Sequence, residues 1–235
     1  MSKHKGRAKN LTIHLETAPF KYQEAVNSLR TNLKFLSMSG KCNCIVVTSS
    51  ILDEGKSVVS INLALSLALS GSNVLLIDCD LRKPSLHRYL NIPTGTSRGL
   101  TNVLSRAGMP ENIPIHMIKK GFSVLTSGVV PPNPAEVLGS PMMGSFIQKM
   151  SQLYDYVIMD TAPVSIVTDA AALSQYADGV LLVVRQKWVT FEQARRAKKN
   201  LEAVGANLLG VVLNGFDIRK ADNAGDYYYG YYQNY

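Results

Sequence analysis

A chain of 235 residues, 46% hydrophobic and 18% charged, has the balance of a folded protein and room for one α/β domain. Its net charge of +8 suits an acidic partner, but the excess is spread over residues 1–10, 82–88 and 195–199 and forms no single stripe, so no nucleic acid is expected. Cys42, Cys44 and Cys79 give neither a disulfide framework nor a zinc pattern, and no apolar stretch has the length of a secretory signal core or a membrane span; a cytoplasmic protein is expected.

Residues 1–20 read as a basic flexible arm carrying Lys3, Lys5, Arg7 and Lys9. Residues 21–39 follow as a helix, with Ala25, Leu29, Leu33 and Leu36 at helical spacing. Residues 44–48 are a short β-branched run ending in Ser49 and Ser50, the signature of a buried parallel strand. A helix over residues 57–70 is stopped by Gly71, and Val74–Asp78 is a second apolar strand that ends in a carboxylate. Residues 91–133, rich in Gly, Pro and polar side chains, are expected to be a surface excursion, with one strand over 123–126.

Further strands are expected at Tyr156–Asp160, residues 180–184 and residues 208–213, separated by helices near 169–176 and 190–204. Strand and helix in alternation predict an α/β fold: a mostly parallel sheet, helices on both faces, ligands beyond the C-terminal ends of the strands. The folded domain is expected to span residues 21–216. From residue 217 the periodicity is lost, and a mobile tail carries Tyr227, Tyr228, Tyr229, Tyr231, Tyr232 and Tyr235.

Three segments carry chemistry. Residues 50–57 lie between the first strand and the first long helix, where backbone amides and a helix start cradle phosphates. Lys56 would reach the β- and γ-phosphates, the Ser57 hydroxyl would ligate Mg²⁺, and Asp53, Glu54, Gly55 and Val58 complete the nucleotide contacts. Ser50 and Asp53 stand where a glycine-rich loop has glycine; Asp tolerates a left-handed backbone better than most residues.

In the second segment the strand to Asp78 delivers Asp78 and Asp80, expected on opposite sides of the strand end, where one serves a hydrated Mg²⁺ and the other a substrate hydroxyl. The third, Tyr156–Asp160, repeats the form of a strand closing on an acid that holds the metal through water.

Taken together, Gly55-Lys56-Ser57, Asp78-x-Asp80-x-Arg82-x-Pro84, Ser127-Gly128, the run from Pro131 to Pro134, Asp160 and the tyrosine cluster resemble the bacterial tyrosine kinases of capsule and exopolysaccharide synthesis, a MinD/ParA-like branch of the P-loop ATPases. The resemblance covers nearly the whole chain. It implies ATP and Mg²⁺ as cofactors, phosphate and metal binding by Lys56 and Ser57, magnesium placement by Asp80 and Asp160, and Asp78 as the base toward an incoming tyrosine. Asn214 corresponds to a residue that contacts the adenine ring.

It also implies autophosphorylation of the tail in trans, other tyrosine-containing protein substrates, and recruitment to the inner face of the membrane by a separate membrane activator with a cytosolic activating segment. A homo-oligomeric ring would use Glu24 and Arg30. Where the family places a middle arginine on that helix this chain has Asn27, which weakens the expected ring. Two other readings are a ParA/MinD-like ATPase switch, which usually carries a lysine where Ile51 stands, and a nucleotide-binding scaffold with slow turnover.

Overall fold

The computed structural model describes residues 15–38, 42–93, 98–105 and 112–216. The tail tyrosines and residues 1–14 lie outside the described residues. Seven strands form one sheet: β1 (Cys44–Ser49), β2 (Val74–Asp78), β3 (Ile115–Lys119), β4 (Phe122–Leu125), β5 (Tyr156–Asp160), β6 (Gly179–Arg185) and β7 (Leu208–Asn214). Their order is β3-β4-β2-β5-β1-β6-β7, parallel except for the β3–β4 hairpin.

The main helices are α1 (Phe20–Met38), α2 (Lys56–Leu69), α3 (Leu86–Tyr89), α4 (Leu100–Leu104), α5 (Pro134–Leu138), α6 (Pro141–Leu153), α7 (Asp169–Ser174) and α8 (Phe191–Glu202). The period of two along the strands sorts the core into two halves. Val46, Leu75, Ile77, Val157, Met159 and Leu182 face α6, α7 and α8, while Ile45, Val47, Val74, Leu76, Ile158 and Leu181 face α2 and α1. β1 and β2 are buried at every position because helices cover both faces, which is why they read as unbroken apolar runs.

Three parts of the structure depart from the sequence expectations. Leu15–Thr17 is a 3₁₀ turn whose Leu15 is buried against the α2 side of the core, so the folded body begins before the expected arm boundary at residue 20. In α1 the buried face is Val26 and Leu33, with Leu29 packed beside them; Ala25 and Leu36 point outward. Residues 91–133, expected as an excursion, supply an extra edge strand, β3, which was not anticipated because its exposed Met117 and Ile118 give no clear alternation.

Helices α5 and α6 occupy a stretch where the sequence predicts no element. Each opens on a proline, a favoured first helical residue, after Asn133 and Ser140 respectively. The Ser140 Oγ accepts from the Met143 amide at 3.2 Å, and Met143, Phe146, Ile147 and Met150 form the buried stripe of α6.

Candidate active site: a phosphate loop facing three carboxylates

Parallel pairing brings the C-terminal ends of β1, β2 and β5 to one point. Asp160 is in register with both Val47 on β1 and Asp78 on β2, so the end of the sheet carries buried acids beside the loop that leads into α2. Lys56, the first residue of α2, extends into this group. Its Nζ lies 2.9 Å from Asp80 Oδ2, 3.9 Å from Asp160 Oδ2 and 3.3 Å from Ser57 Oγ. The structure therefore assembles Lys56, Ser57, Asp78, Asp80 and Asp160 within one buried mouth.

Electrostatics there are strongly coupled. Burial works against the Lys56 ammonium, but Asp160, the charge and hydrogen bond of Asp80, and Asp78 outweigh it and hold its pKa above the ordinary lysine value. Burial, then the charge of Asp160, lifts the Asp78 carboxyl to about 7; the amides of Leu86 and Ser85 oppose that rise and Asp80 adds to it. Burial also raises the Asp160 carboxyl, against the pull of Lys56 and the hydroxyls of Ser57 and Ser60.

Asp78 and Asp80 do not separate by strand alternation as expected. Residues two apart share a face of a regular strand, and β2 already ends at Asp78. The turn beyond the strand divides their tasks instead. Asp78 Oδ2 accepts from the Ser85 and Leu86 amides at 3.0 and 3.1 Å, while Asp80 Oδ1 accepts from the Lys83 amide at 3.0 Å and its other oxygen takes Lys56. Arg82 anchors the same turn from outside through a bidentate pair with the fully buried Asp169 at the start of α7, both contacts at 2.9 Å.

Asp169, Ser60 and Ser85 were not singled out from the sequence. Ser85 Oγ lies 3.1 Å from Ser57 Oγ, Ser60 Oγ donates to Asp160 Oδ1 at 3.2 Å, and the Arg82–Asp169 pair joins residues far apart in the chain. For Ser85, its place after Pro84 at the end of the acid motif was an available signal.

The phosphate loop keeps the expected left-handed turn with Asp53 in it, at φ 64°, followed by Gly55 at φ 87°. A Cβ on Gly55 would meet the Asn214 side chain, so glycine is needed there twice over. The Glu54 carboxylate is buried and faces inward: it accepts from the Ile51 amide at 2.7 Å and the Arg185 amide at 3.0 Å, which leaves only its backbone for a phosphate. Asn214 Nδ2 donates to Glu54 O at 2.7 Å, and its Oδ1 accepts from the Gly215 amide at 2.9 Å. Val58 sits half-buried in the first turn of α2.

Away from the mouth, Arg30 Nη1 donates to Ser66 O at 3.1 Å and Ser66 Oγ at 3.0 Å, pinning α1 onto α2. Asn27 accepts from the same Ser66 hydroxyl and donates to Glu24 Oε1 at 3.1 Å. No helix among the described residues is long and apolar enough to cross a membrane.

The mouth suits Mg·ATP on its own chemistry. Three carboxylates face one ammonium, and two buried carboxylate oxygens, Asp78 Oδ1 and Asp160 Oδ2, have no hydrogen-bond partner, although the latter lies within ion-pair range of Lys56. No ready-made cage of metal ligands occurs among the described residues. Mg²⁺ usually binds through one or two carboxylates with water and phosphate oxygens completing the shell, which fits such a mouth.

Comparison with known proteins settles the family. A model of the ParA family, described as "NUBPL iron-transfer P-loop NTPase", matches residues 41–229. The tyrosine-protein kinase YwqD of Bacillus subtilis is 39% identical over 212 residues, covering 90% of this chain and 88% of that one. The chain belongs to the bacterial tyrosine-protein kinases. CpsD of Streptococcus agalactiae, also named a tyrosine-protein kinase, is 37% identical over 216 residues, covering 92% of this chain and 90% of that one. The solved kinase domain of Escherichia coli ETK superposes with a TM-score of 0.83 at 34% identity, covering 94% of this chain and 86% of the domain. The full Etk sequence is much longer, with 28% of its length matched.

Proposed function

We propose that this tyrosine kinase domain transfers the γ-phosphoryl group of Mg·ATP to tyrosines of its own tail in trans, on Tyr227, Tyr228, Tyr229, Tyr231, Tyr232 and Tyr235, and to other proteins. The observation that carries the reading is the Lys56 ammonium held 2.9 Å from Asp80, beside Asp160 and Ser57 at a helix start. Lys56 would orient the β- and γ-phosphates, and Ser57, Asp80 and Asp160 would hold the magnesium, which when bound would supply the positive charge that offsets what builds up on the transferring group.

Asp78 takes the proton of the incoming phenol at Oδ1, since Oδ2 is held by the Ser85 and Leu86 amides. A carboxyl lifted to about 7 is matched to proton transfer near neutral pH. Arg82 and Asp169 fix the turn on which both acids stand. The 21 residues beyond β7, at roughly 3.3 Å per residue, would reach about 70 Å at full extension, enough to enter a neighbouring copy's mouth.

The assembly is a homo-oligomer of modest stability. Arg30 is engaged with Ser66 within the chain, and Asn27 supplies no guanidinium to a neighbour. The family resemblance leads us to place an activator on a separate membrane protein, whose cytosolic segment recruits the kinase to the inner face of the membrane, and a role in capsule or exopolysaccharide synthesis; that only 28% of the longer Etk chain is matched leaves room for such a partner. Tandem mass spectrometry of the tail after incubation with Mg·ATP tests the central step. Phosphotyrosine is expected in the wild type and absent from Lys56→Met; equal modification of both would remove the autokinase reading.

A further inference from the structure

The phosphate loop is gripped from one side by three residues, of which only Asn214 is expected at the nucleotide. Three successive loop carbonyls each accept a hydrogen bond from a side chain at the ends of β6 and β7. Trp188 Nε1 donates to Leu52 O at 2.9 Å, Arg185 Nη1 to Asp53 O at 3.1 Å, and Asn214 Nδ2 to Glu54 O at 2.7 Å. The donors are linked among themselves: the Arg185 guanidinium lies 5.1 Å from the centre of the Trp188 ring, and the Arg185 amide binds the Glu54 carboxylate. The turn that returns Trp188 over the loop passes through Lys187 at φ 59°, a left-handed backbone that a lysine adopts only when its surroundings enforce it.

Peptide planarity turns this grip into a phosphate site. No peptide bond is cis, so each amide N–H points opposite to the carbonyl of the same peptide unit. Drawing the carbonyls of residues 52, 53 and 54 toward β6 and β7 therefore aims the N–H groups of residues 53, 54 and 55 the other way. Neither the Asp53 nor the Gly55 amide has an acceptor among the described residues, and the Glu54 amide meets Ile51 O only loosely, outside ordinary hydrogen-bond geometry, across the turn of residues 51–54. Successive amides aimed into one concavity form an anion nest.

We infer that Trp188, Arg185 and Asn214 are positioning residues that clasp the loop carbonyls and so hold its amides ready for the β- and γ-phosphates, offsetting the loss of loop glycine at Asp53. The inference rests on the Mg·ATP reading and deepens it. It also gives Asn214 a task different from adenine contact.

Displacement of a fluorescent ADP analogue by Mg·ADP, inorganic pyrophosphate and adenosine tests the clasp on wild type, Trp188→Phe and Asn214→Ala, beside the thermal midpoint of each nucleotide-free protein. Trp188→Phe keeps an aromatic ring beneath Arg185, though a smaller one, and removes the indole donor. Loss of one such hydrogen bond is expected to weaken Mg·ADP and pyrophosphate alike by about 3- to 10-fold in each variant, with adenosine and the midpoint unchanged. Trp188 is the only tryptophan of the chain, so in Asn214→Ala its own emission should also shift as the loop loosens.

Wild-type pyrophosphate affinity in both variants would overturn the clasp, as would a loss confined to adenosine or one matched by a falling midpoint. If the wild type itself takes up no Mg·ADP, the nucleotide reading fails first and the clasp falls with it.

Discussion

The two loops at the mouth share one device, a buried carboxylate that accepts from a loop amide (Glu54 in one, Asp78 and Asp80 in the other), and differ in the rest of what holds them. The phosphate loop is fixed by donors that reach its carbonyls from half-exposed or exposed side chains, Trp188, Arg185 and Asn214. The turn from Asp78 to Leu86 is fixed by buried carboxylates that accept from its own amides, with the Arg82–Asp169 pair outside and Lys56 within. A loop that must greet an anion has its carbonyls drawn back, whereas a turn that must present acids is supplied with N–H groups and cations. Bonds of the first kind, near water, each contribute little; those of the second kind are costly to break.

The contrast is broken most severely at its bridge. Asp80→Ala removes the partner of Lys56 and, on the proposed reading, a magnesium ligand with it, and phosphotyrosine formation measured by immunoblot should fall by about 10² or more. A variant with near wild-type signal would separate the acid turn from the chemistry.

Next in size is Arg82→Ala, which leaves Asp169 charged and fully buried without its cation. A loss of about 3–5 kcal/mol is expected from denaturant unfolding. Arg82→Lys should recover only part of it, because a single ammonium cannot reproduce the bidentate contact. A loss below about 1 kcal/mol would mean that the turn stands without its anchor.

A smaller effect distinguishes the acid turn by pH. Asp78 titrates at about 7 in the folded protein against an ordinary value of 3.8, so between those values the folded state binds more protons than the unfolded one. Stability from this group is therefore fully present below about pH 4 and is lost as pH rises through 7. Asp78→Asn keeps an acceptor for the Ser85 and Leu86 amides and removes the charge. Its thermal midpoint should exceed the wild type's by a few degrees at pH 8 and match it near pH 4, at about 2–4 °C per kcal/mol for a chain of this size. An equal offset at both pH values would contradict the shift.

The smallest change concerns the other loop. Asp53→Gly removes a left-handed non-glycine residue and a carboxylate near the phosphate site, and should stabilise the loop by about 1 kcal/mol while tightening Mg·ADP a few-fold by calorimetry. Weaker binding would show that the Asp53 side chain has a positive role.

Local signals were legible in the sequence: β1, β2 and β5 as unbroken apolar runs, the acids at their ends, and the left-handed turn at Asp53. The α6 stripe of Met143, Phe146, Ile147 and Met150 and its Ser140-Pro141 start are present too, in the stretch between the expected excursion over 91–133 and the strand Tyr156–Asp160, where no element is expected. What the sequence could not show was partnership across the chain. Asp169 is an unremarked acid until Arg82 is beside it, Glu54 reads as a nucleotide contact with no sign that its carboxylate turns inward to the Arg185 amide, and Trp188 has no motif at all. Glu24 and Arg30 carry the pattern expected for contacts between copies, which Asn27 interrupts, and nothing in the sequence signals that Arg30 and Asn27 also meet Ser66 within one chain.

The central claim is that Lys56, Ser57, Asp80 and Asp160 together form a Mg·ATP site, and calorimetric titration of the wild type and Lys56→Met with a non-hydrolysable ATP analogue tests it most directly. One saturating, magnesium-dependent event in the wild type, weakened at least tenfold by the substitution, is the expected result. Uptake that ignores both magnesium and Lys56, or no uptake at all, would contradict it.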